Sequence, residues 1–238
     1  MSFAIPGSVI LVTAGTSGLG LSVATKLIRL GSNVVINYAS NQDRANAALS
    51  QLQQLSSELA SSPRCIAIRA DVTKKSEIER LVAETVAAMG KLDAVVSNAG
   101  WTKFANFSDL DDNVDEEVWD KCYAANVKSH LFLCHAARKY LEDAKGAFVM
   151  TSSVAGVKPS GSSIAYSVTK AAQIHLSKSL AMVMAPSIRV NTVSPGFMET
   201  NWIAGFPLSK IDEARERTLL KQITQVEVRQ PFAGETRN

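Results

Sequence analysis

The opening of the chain constrains its fold more than any other stretch. Val9-Ile10-Leu11-Val12-Thr13 is an unbroken apolar run capped by threonine, and Ala14-Gly15-Thr16-Ser17-Gly18-Leu19-Gly20 follows at once. A short apolar run closed by glycines reads as a strand buried on both faces, as a parallel sheet requires. Leu21, Ala24, Leu27, Ile28 and Leu30 then recur at helical spacing, and Gly31 stands where a helix ends. Glycines let backbone approach a ligand closely. The first helical turn adds unpaired N–H groups and the positive end of its dipole, a place suited to a pyrophosphate.

The alternation continues along the chain. Strands are expected near 8–13, 33–37, 64–70, 92–97, 146–151 and 187–193, and helices near 18–30, 41–60, 74–89, 114–142, 163–185 and 208–222. Apolar strands alternating with helices imply an α/β fold, a single Rossmann-like doubly wound parallel sheet with helices on both faces and right-handed crossovers. Ligands bind beyond the carboxyl ends of such strands. Asp71, Asn98, Ser153 and Pro195 all fall at those ends.

Tyr166 and Lys170 stand four apart, on one face of the expected helix, with Ser153 thirteen positions before the tyrosine. A phenol titrates near pH 10, too high for proton transfer at neutrality. A neighbouring ammonium favours the phenolate and is expected to lower that value. A serine hydroxyl beside the phenol can hold a substrate oxygen. The set suits moving a proton on and off a carbonyl or alcohol oxygen, leaving hydride to a cofactor.

Composition narrows the classes. A chain of 238 residues fits one domain, with 197–222 expected as a substrate loop and helix and 223–238 as an atypical tail. No apolar run reaches the roughly 18 residues a membrane span needs, and no signal segment opens the chain. A net charge of +3 does not suggest a nucleic-acid surface. Cys65, Cys122 and Cys134 show no pairing motif, which points to a reducing, cytoplasmic setting. His130, Cys134 and His135 share one helical stretch, but no further ligand joins them, so they read as structural and no metal is expected.

These features together resemble the short-chain dehydrogenase/reductase family over about residues 8 to 205. Its Thr-Gly-x-x-x-Gly-x-Gly loop stands here as Thr13 to Gly20, with Ala14 at the first glycine. The resemblance implies that Thr13, Gly15, Ser17, Gly18, Leu19 and Gly20 line the cofactor. Asp71 and Val72 match the segment that holds adenine. Ser97-Asn98-Ala99-Gly100 is similar to the family's Asn-Asn-Ala-Gly, and Asn126 to the helix asparagine of its proton relay. Pro195, Gly196 and Thr200 resemble the nicotinamide-side motif. Ser153, Tyr166 and Lys170 match the catalytic residues, with Tyr166 and Lys170 also touching cofactor.

The second strand ends Asn37-Tyr38-Ala39-Ser40-Asn41, with no acid before Asp43. An NAD-preferring site usually carries one there for the ribose 2′-hydroxyl. Tyr38, Ser40 and Asn41, with Arg44 near, favour NADP(H) over NAD(H), and this segment resembles NADPH-dependent ketoreductases. Trp101, Phe104 and Phe107, with Phe197, Met198, Trp202 and Phe206, flank the family's active site and suggest an aromatic or polyketide-like ketone. The expected activity is NADPH-dependent carbonyl reduction. The alternative is a catalytically weak nucleotide-binding sensor or scaffold, suggested by the tail, where Pro231 and nearby charges interrupt the terminal strand usual in the family and imply a shortened or re-framed end. Small and apolar residues (Val127, Leu131, Cys134 and Ala137; Ala172, Leu176, Ser179 and Val183) suggest a homodimer through helices 114–142 and 163–185.

Overall fold

A computed structural model describes residues 6–200, 211–212, 215–216 and 218–225. It divides into two compact units, Met1–Gly196 and Phe197–Asn238. The first carries six strands: β1 (Val9–Val12), β2 (Asn33–Tyr38), β3 (Cys65–Arg69), β4 (Ala94–Ser97), β5 (Ala147–Thr151) and β6 (Arg189–Val193). All pair in parallel, in the order β3-β2-β1-β4-β5-β6. The order reverses between β1 and β4, and the crevice at that switch point is where such sheets bind ligands.

The connecting helices are α1 (Gly18–Arg29), α2 (Gln42–Ser57), α3 (Lys75–Met89), α4 (Glu116–Tyr123), α5 (Ser129–Asp143) and α6 (Ile164–Met184). The first strand shows why they need two faces. Ile10 and Val12 enter one core with Ala24 and Ile28 of α1 and Leu52 of α2. Leu11, between them, enters the other with Leu81 of α3, Leu133 of α5 and Phe148 of β5. Alternate side chains of a strand point to opposite faces, so an apolar run is stable only when both are covered.

One expected helix is broken. Residues 114–142 form α4 and α5 joined by a π-helical turn, Ala124–Lys128, a one-residue expansion often found at functional sites. The face expected to pair two copies is split as well. Cys134 and Ala137 are buried in the chain's own core, whereas Leu131 is 39% and Val183 is 67% exposed. The outward residues of this rod are instead Tyr123 and Leu131, with Val127 half-buried between them. Covering the sheet took precedence on the inward turns of α5.

The second unit holds a short parallel pair, β7 (Met198–Glu199) with β8 (Thr224–Gln225). Within the expected helix 208–222, residues 211–212 and 215–216 are helical. Trp202, Phe206 and the tail from Val226 onward lie outside the described residues. Among the described residues, no helix is long and apolar enough to cross a membrane, and no cluster could hold a metal ion.

Candidate active site

The turn after β1 is built by hydrogen bonds that use the threonine itself. Thr13 is buried, and its Oγ1 accepts from the backbone N–H of Asn98 at 2.9 Å and of Ala99 at 3.0 Å. Asn98 Nδ2 donates to the Thr13 carbonyl at 3.2 Å. Thr13 thus ties β1 to the loop after β4, across the switch point. A Cβ on Gly20 would stand 2.2 Å from the Ala14 carbonyl oxygen, so only glycine lets α1 start this close to the turn. Ser17 is the N-cap residue of α1 but makes no side-chain capping bond. Gly15 is buried, while Gly18 and Leu19 are partly exposed in the first turn. This is a fit for a pyrophosphate: close backbone, a helix N-terminus and no acidic residue in its first turn.

The expected nucleotide-specificity segment is rearranged. Tyr38 is a core residue at 7% exposure, and its hydroxyl donates to Gln42 Oε1 at 2.5 Å. Asn41 caps α2, accepting from Arg44 N at 2.8 Å. Ala39, Ser40 and Asn41 are exposed there, while Tyr38 is buried. Its ring was needed to finish β2. Arg69, which the sequence did not flag, brings Nε to 3.1 Å from the Ala39 carbonyl. Asp71, half-buried, accepts from Thr73 N and Oγ1 at 3.0 and 2.7 Å, and Val72 follows it, also half-buried.

Three contacts clamp the loop after β5 onto α6. Ser152 Oγ donates to the Lys170 carbonyl at 2.9 Å, and Ser167 Oγ to the Ala155 carbonyl at 2.6 Å. A Cβ on Gly156 would lie 2.5 Å from the Lys170 backbone carbon, so a side chain there would lift the loop away. At the start of α6, Ser163 Oγ accepts from Tyr166 N at 3.1 Å and Asn113 Oδ1 from Ile164 N at 2.9 Å. The cap fixes the turn that carries Tyr166. Ser153 is brought against that tyrosine, and the two side chains hydrogen-bond.

The electrostatics differ from expectation. Burial pushes the Tyr166 phenol up to about 12, opposed by the Ser153 hydrogen bond and reinforced by Cys122. Burial pushes the Lys170 ammonium down to about 7, with Cys122 acting the other way. Lys170 Nζ is 5.6 Å from the Tyr166 ring centroid. It donates instead to the Thr151 carbonyl at 2.9 Å and to Gln173 Oε1 at 3.0 Å. Desolvation is the largest cause for both groups, and a phenol raised above its ordinary value is protonated at neutrality.

Asn126 lies in the π turn, fully buried. Its Oδ1 accepts from Trp101 N at 2.8 Å; its Nδ2 donates to the Trp101 carbonyl at 2.9 Å and to Thr169 Oγ1 at 3.0 Å. The side chain thus anchors the loop after Gly100 to α6 rather than reaching Lys170. Trp101 packs its ring under Lys121, whose Nζ is 4.4 Å from the centroid. Phe104 is 40% exposed, and Phe107 is half-buried. Pro195 accepts from Val154 N at 2.9 Å, holding the end of the first unit to the Ser153 loop. Gly196 closes that unit, and Phe197, Met198 and Thr200 belong to the second. The meeting of His130 with Gln173 carried no signal in the sequence, since the two lie 43 positions apart and are brought together by tertiary packing.

The model of the short chain dehydrogenase family matches residues 8–207. A tropinone reductase-like protein of Erythroxylum coca is 35% identical over 222 residues, 91% of this chain and 81% of that protein. A 3-oxoacyl-(acyl-carrier-protein) reductase of Staphylococcus epidermidis is 31% identical over 215 residues, 89% of this chain and 84% of that protein. A short chain dehydrogenase from Burkholderia cenocepacia, solved in complex with NADP, superposes with a TM-score of 0.82 at 28% identity, covering 94% of this chain and 87% of that one. Family model, relatives, fold and the Ser153–Tyr166–Lys170 geometry agree: the chain belongs to the short-chain dehydrogenase/reductase family of nicotinamide-dependent oxidoreductases.

Proposed function

We propose that this chain reduces a ketone to an alcohol with NADPH. The observation that carries the reading is the protonated Tyr166 hydroxyl held against Ser153, with Lys170 one helical turn on. A protonated phenol is the form a proton donor needs in reduction, and the Lys170 charge one turn on is what would bring its value down toward the working pH. Tyr166 gives its proton to the carbonyl oxygen, and Ser153 donates a hydrogen bond to the same oxygen. Lys170 is placed to add positive charge beneath the phenol as the oxygen accepts electron density. When bound, the cofactor supplies hydride.

The residues that would hold it are Gly15, Ser17, Gly18, Leu19 and Gly20 at the pyrophosphate, and Asp71 and Val72 at the adenine. Asn98, Ala99, Gly100, Tyr166, Lys170, Pro195, Gly196 and Thr200 would serve the nicotinamide half. Thr13 and Asn126 act from behind, by fixing the loops that carry Asn98 and Trp101. NADPH is favoured because no carboxylate occupies 37–42. Ser40 is exposed there, and Arg44 forms no ion pair with a described residue. Trp101, Phe104 and Phe107 favour a ring-bearing or polyketide-like ketone, in line with the reductase relatives. The exposed Leu131 and Val183 support a homodimer through the long helices.

The test is a panel of aromatic and aliphatic ketones with NADPH and NADH, run on the wild type and Tyr166→Phe. The variant is expected to lose about 10²- to 10⁴-fold in kcat while binding NADPH with unchanged Kd. A variant keeping more than half the wild-type kcat would refute the assignment of Tyr166.

A further inference from the structure

Behind the proposed catalytic lysine runs a chain of buried polar side chains from its own helix and two further elements, α5 and β4. Lys170 is 4% exposed, Gln173 and His130 are fully buried, and Ser97, the last residue of β4, is 2% exposed. Lys170 Nζ lies 2.9 Å from the Thr151 carbonyl and 3.0 Å from Gln173 Oε1. Gln173 Nε2 donates to the same Thr151 carbonyl at 3.1 Å and contacts His130 Nε2 at 3.1 Å. His130 Nδ1 meets Ser97 Oγ at 2.6 Å.

The donors and acceptors allow one ordering. An ammonium only donates, so the glutamine oxygen must face Lys170. Both amide protons are then committed, one to Thr151 and one to His130. His130 Nε2 accepts, so the imidazole proton sits on Nδ1 and goes to Ser97. Burial and the nearby Lys170 charge push the imidazole down to about 3, so it stays neutral across ordinary pH, and the ordering holds wherever Lys170 is charged. Buried polar groups without partners are costly, which makes each bond of this chain enforce the next.

We infer that Gln173 and His130 are positioning residues for Lys170, a relay anchored at Ser97 that keeps an oxygen acceptor turned toward the lysine. The inference rests on the proposed role of Lys170. Neither residue touches the reacting atoms. Their effect is on how readily Lys170 carries its charge in a site whose burial opposes that charge. The titratable groups that face Lys170 are Tyr166 on its own helix, Cys122 on α4 and His130 on α5. The strand segments Ala94–Ser97 and Ala147–Thr151 carry none. Gln173 supplies a buried side-chain oxygen 3.0 Å from the ammonium.

The experiment follows Lys170 by NMR of protein labelled with ε-carbon-13 lysine, its signal identified by loss in Lys170→Arg, titrated without substrate or cofactor. Gln173→Glu places a carboxylate at the ammonium and is expected to raise the titration midpoint by about one pH unit or more. Gln173→Leu removes the acceptor and should lower it. Ser97→Ala frees the imidazole to protonate at Nε2, which turns the amide and should also lower it. An unchanged Lys170 midpoint in the Gln173 variants overturns the proposal. Should those not fold, an unchanged midpoint in Ser97→Ala, a small truncation, does the same. Because turnover plays no part in the titration, shifted midpoints in an enzyme inactive on every ketone would sink the catalytic reading and leave the relay standing.

Discussion

Ala14 sits at φ 50°, in the left-handed region where a Cβ crowds the following carbonyl. That conformation costs an L-residue about 1–2 kcal/mol, offset in a glycine by roughly 0.5–1 kcal/mol of extra chain entropy. Ala14→Gly is therefore expected to stabilise the protein by about 0.5–1 kcal/mol, seen as a Tm rise of a degree or more; a lower Tm would show that the strain is not real. The sequence marked Ala14 as a departure from the family loop but could not show its backbone angle. Tyr38 is the opposite case. Its position at a strand end suggested a specificity residue, and the fold buries its ring and ties its hydroxyl to Gln42. The residue to change is Ser40, exposed just beyond β2. Ser40→Asp is expected to lower the NADPH-to-NADH ratio of kcat/KM by about tenfold or more, since a carboxylate repels a 2′-phosphate and accepts from a 2′-hydroxyl. A wild type that already prefers NADH would overturn the proposed cofactor choice. Ser153, Tyr166 and Lys170 were legible because helix spacing alone places two of them. Gln173 and His130 were not, because they lie 43 positions apart and meet only through packing.

At the scale of elements, α6 is the part on which the site depends. Its first turn carries Tyr166, the next carries Lys170, and its N-terminus is satisfied by two side chains, Ser163 and Asn113. Ser163→Ala removes the bond to the Tyr166 N–H, and loss of such a cap costs about 1 kcal/mol. Urea unfolding should show that loss, accompanied by a fall in kcat because the frayed turn is the one bearing the proton donor. A fall in stability with full activity would mean that Asn113 alone holds the turn. Strand and helix positions were mostly readable from the sequence to within a few residues, since β1 to β5 are largely apolar and helices begin at side chains such as Asn41 and Ser163, while β6 is polar at Arg189, Asn191 and Thr192. The π turn was not readable. One additional residue in a helical turn leaves no mark in composition or in an apolar pattern.

The whole molecule presents a sheet with both faces covered where α1, α2, α3 and α5 pack, and an outer surface on which Leu131 of α5 and Val168 and Val183 of α6 are exposed. Apolar side chains at this spacing on neighbouring helices suit a two-fold contact, and the proposed homodimer should appear in light scattering as twice the chain mass. A monomer at micromolar concentration would remove it. The second unit, with its short β7–β8 pair, was only partly legible. Its apolar residues, such as Trp202, Ile203 and Phe206, are interrupted by Gly205 and Pro207 and keep neither strand nor helix period. The π turn between α4 and α5 has a further consequence for how such a chain can change. Asn126, inside the turn, holds Trp101, and His130, just beyond it, holds Ser97. Deleting one residue among 124–128 would let the wide turn close to an ordinary α-helical one, leaving α4 and α5 in register but removing the turn that presents Asn126 to Trp101. The rod can thus shed its surplus residue without turning its ends, as a belt can lose a slack notch, and what it gives up is the hold on the loop after β4 rather than the packing of α5 on the sheet.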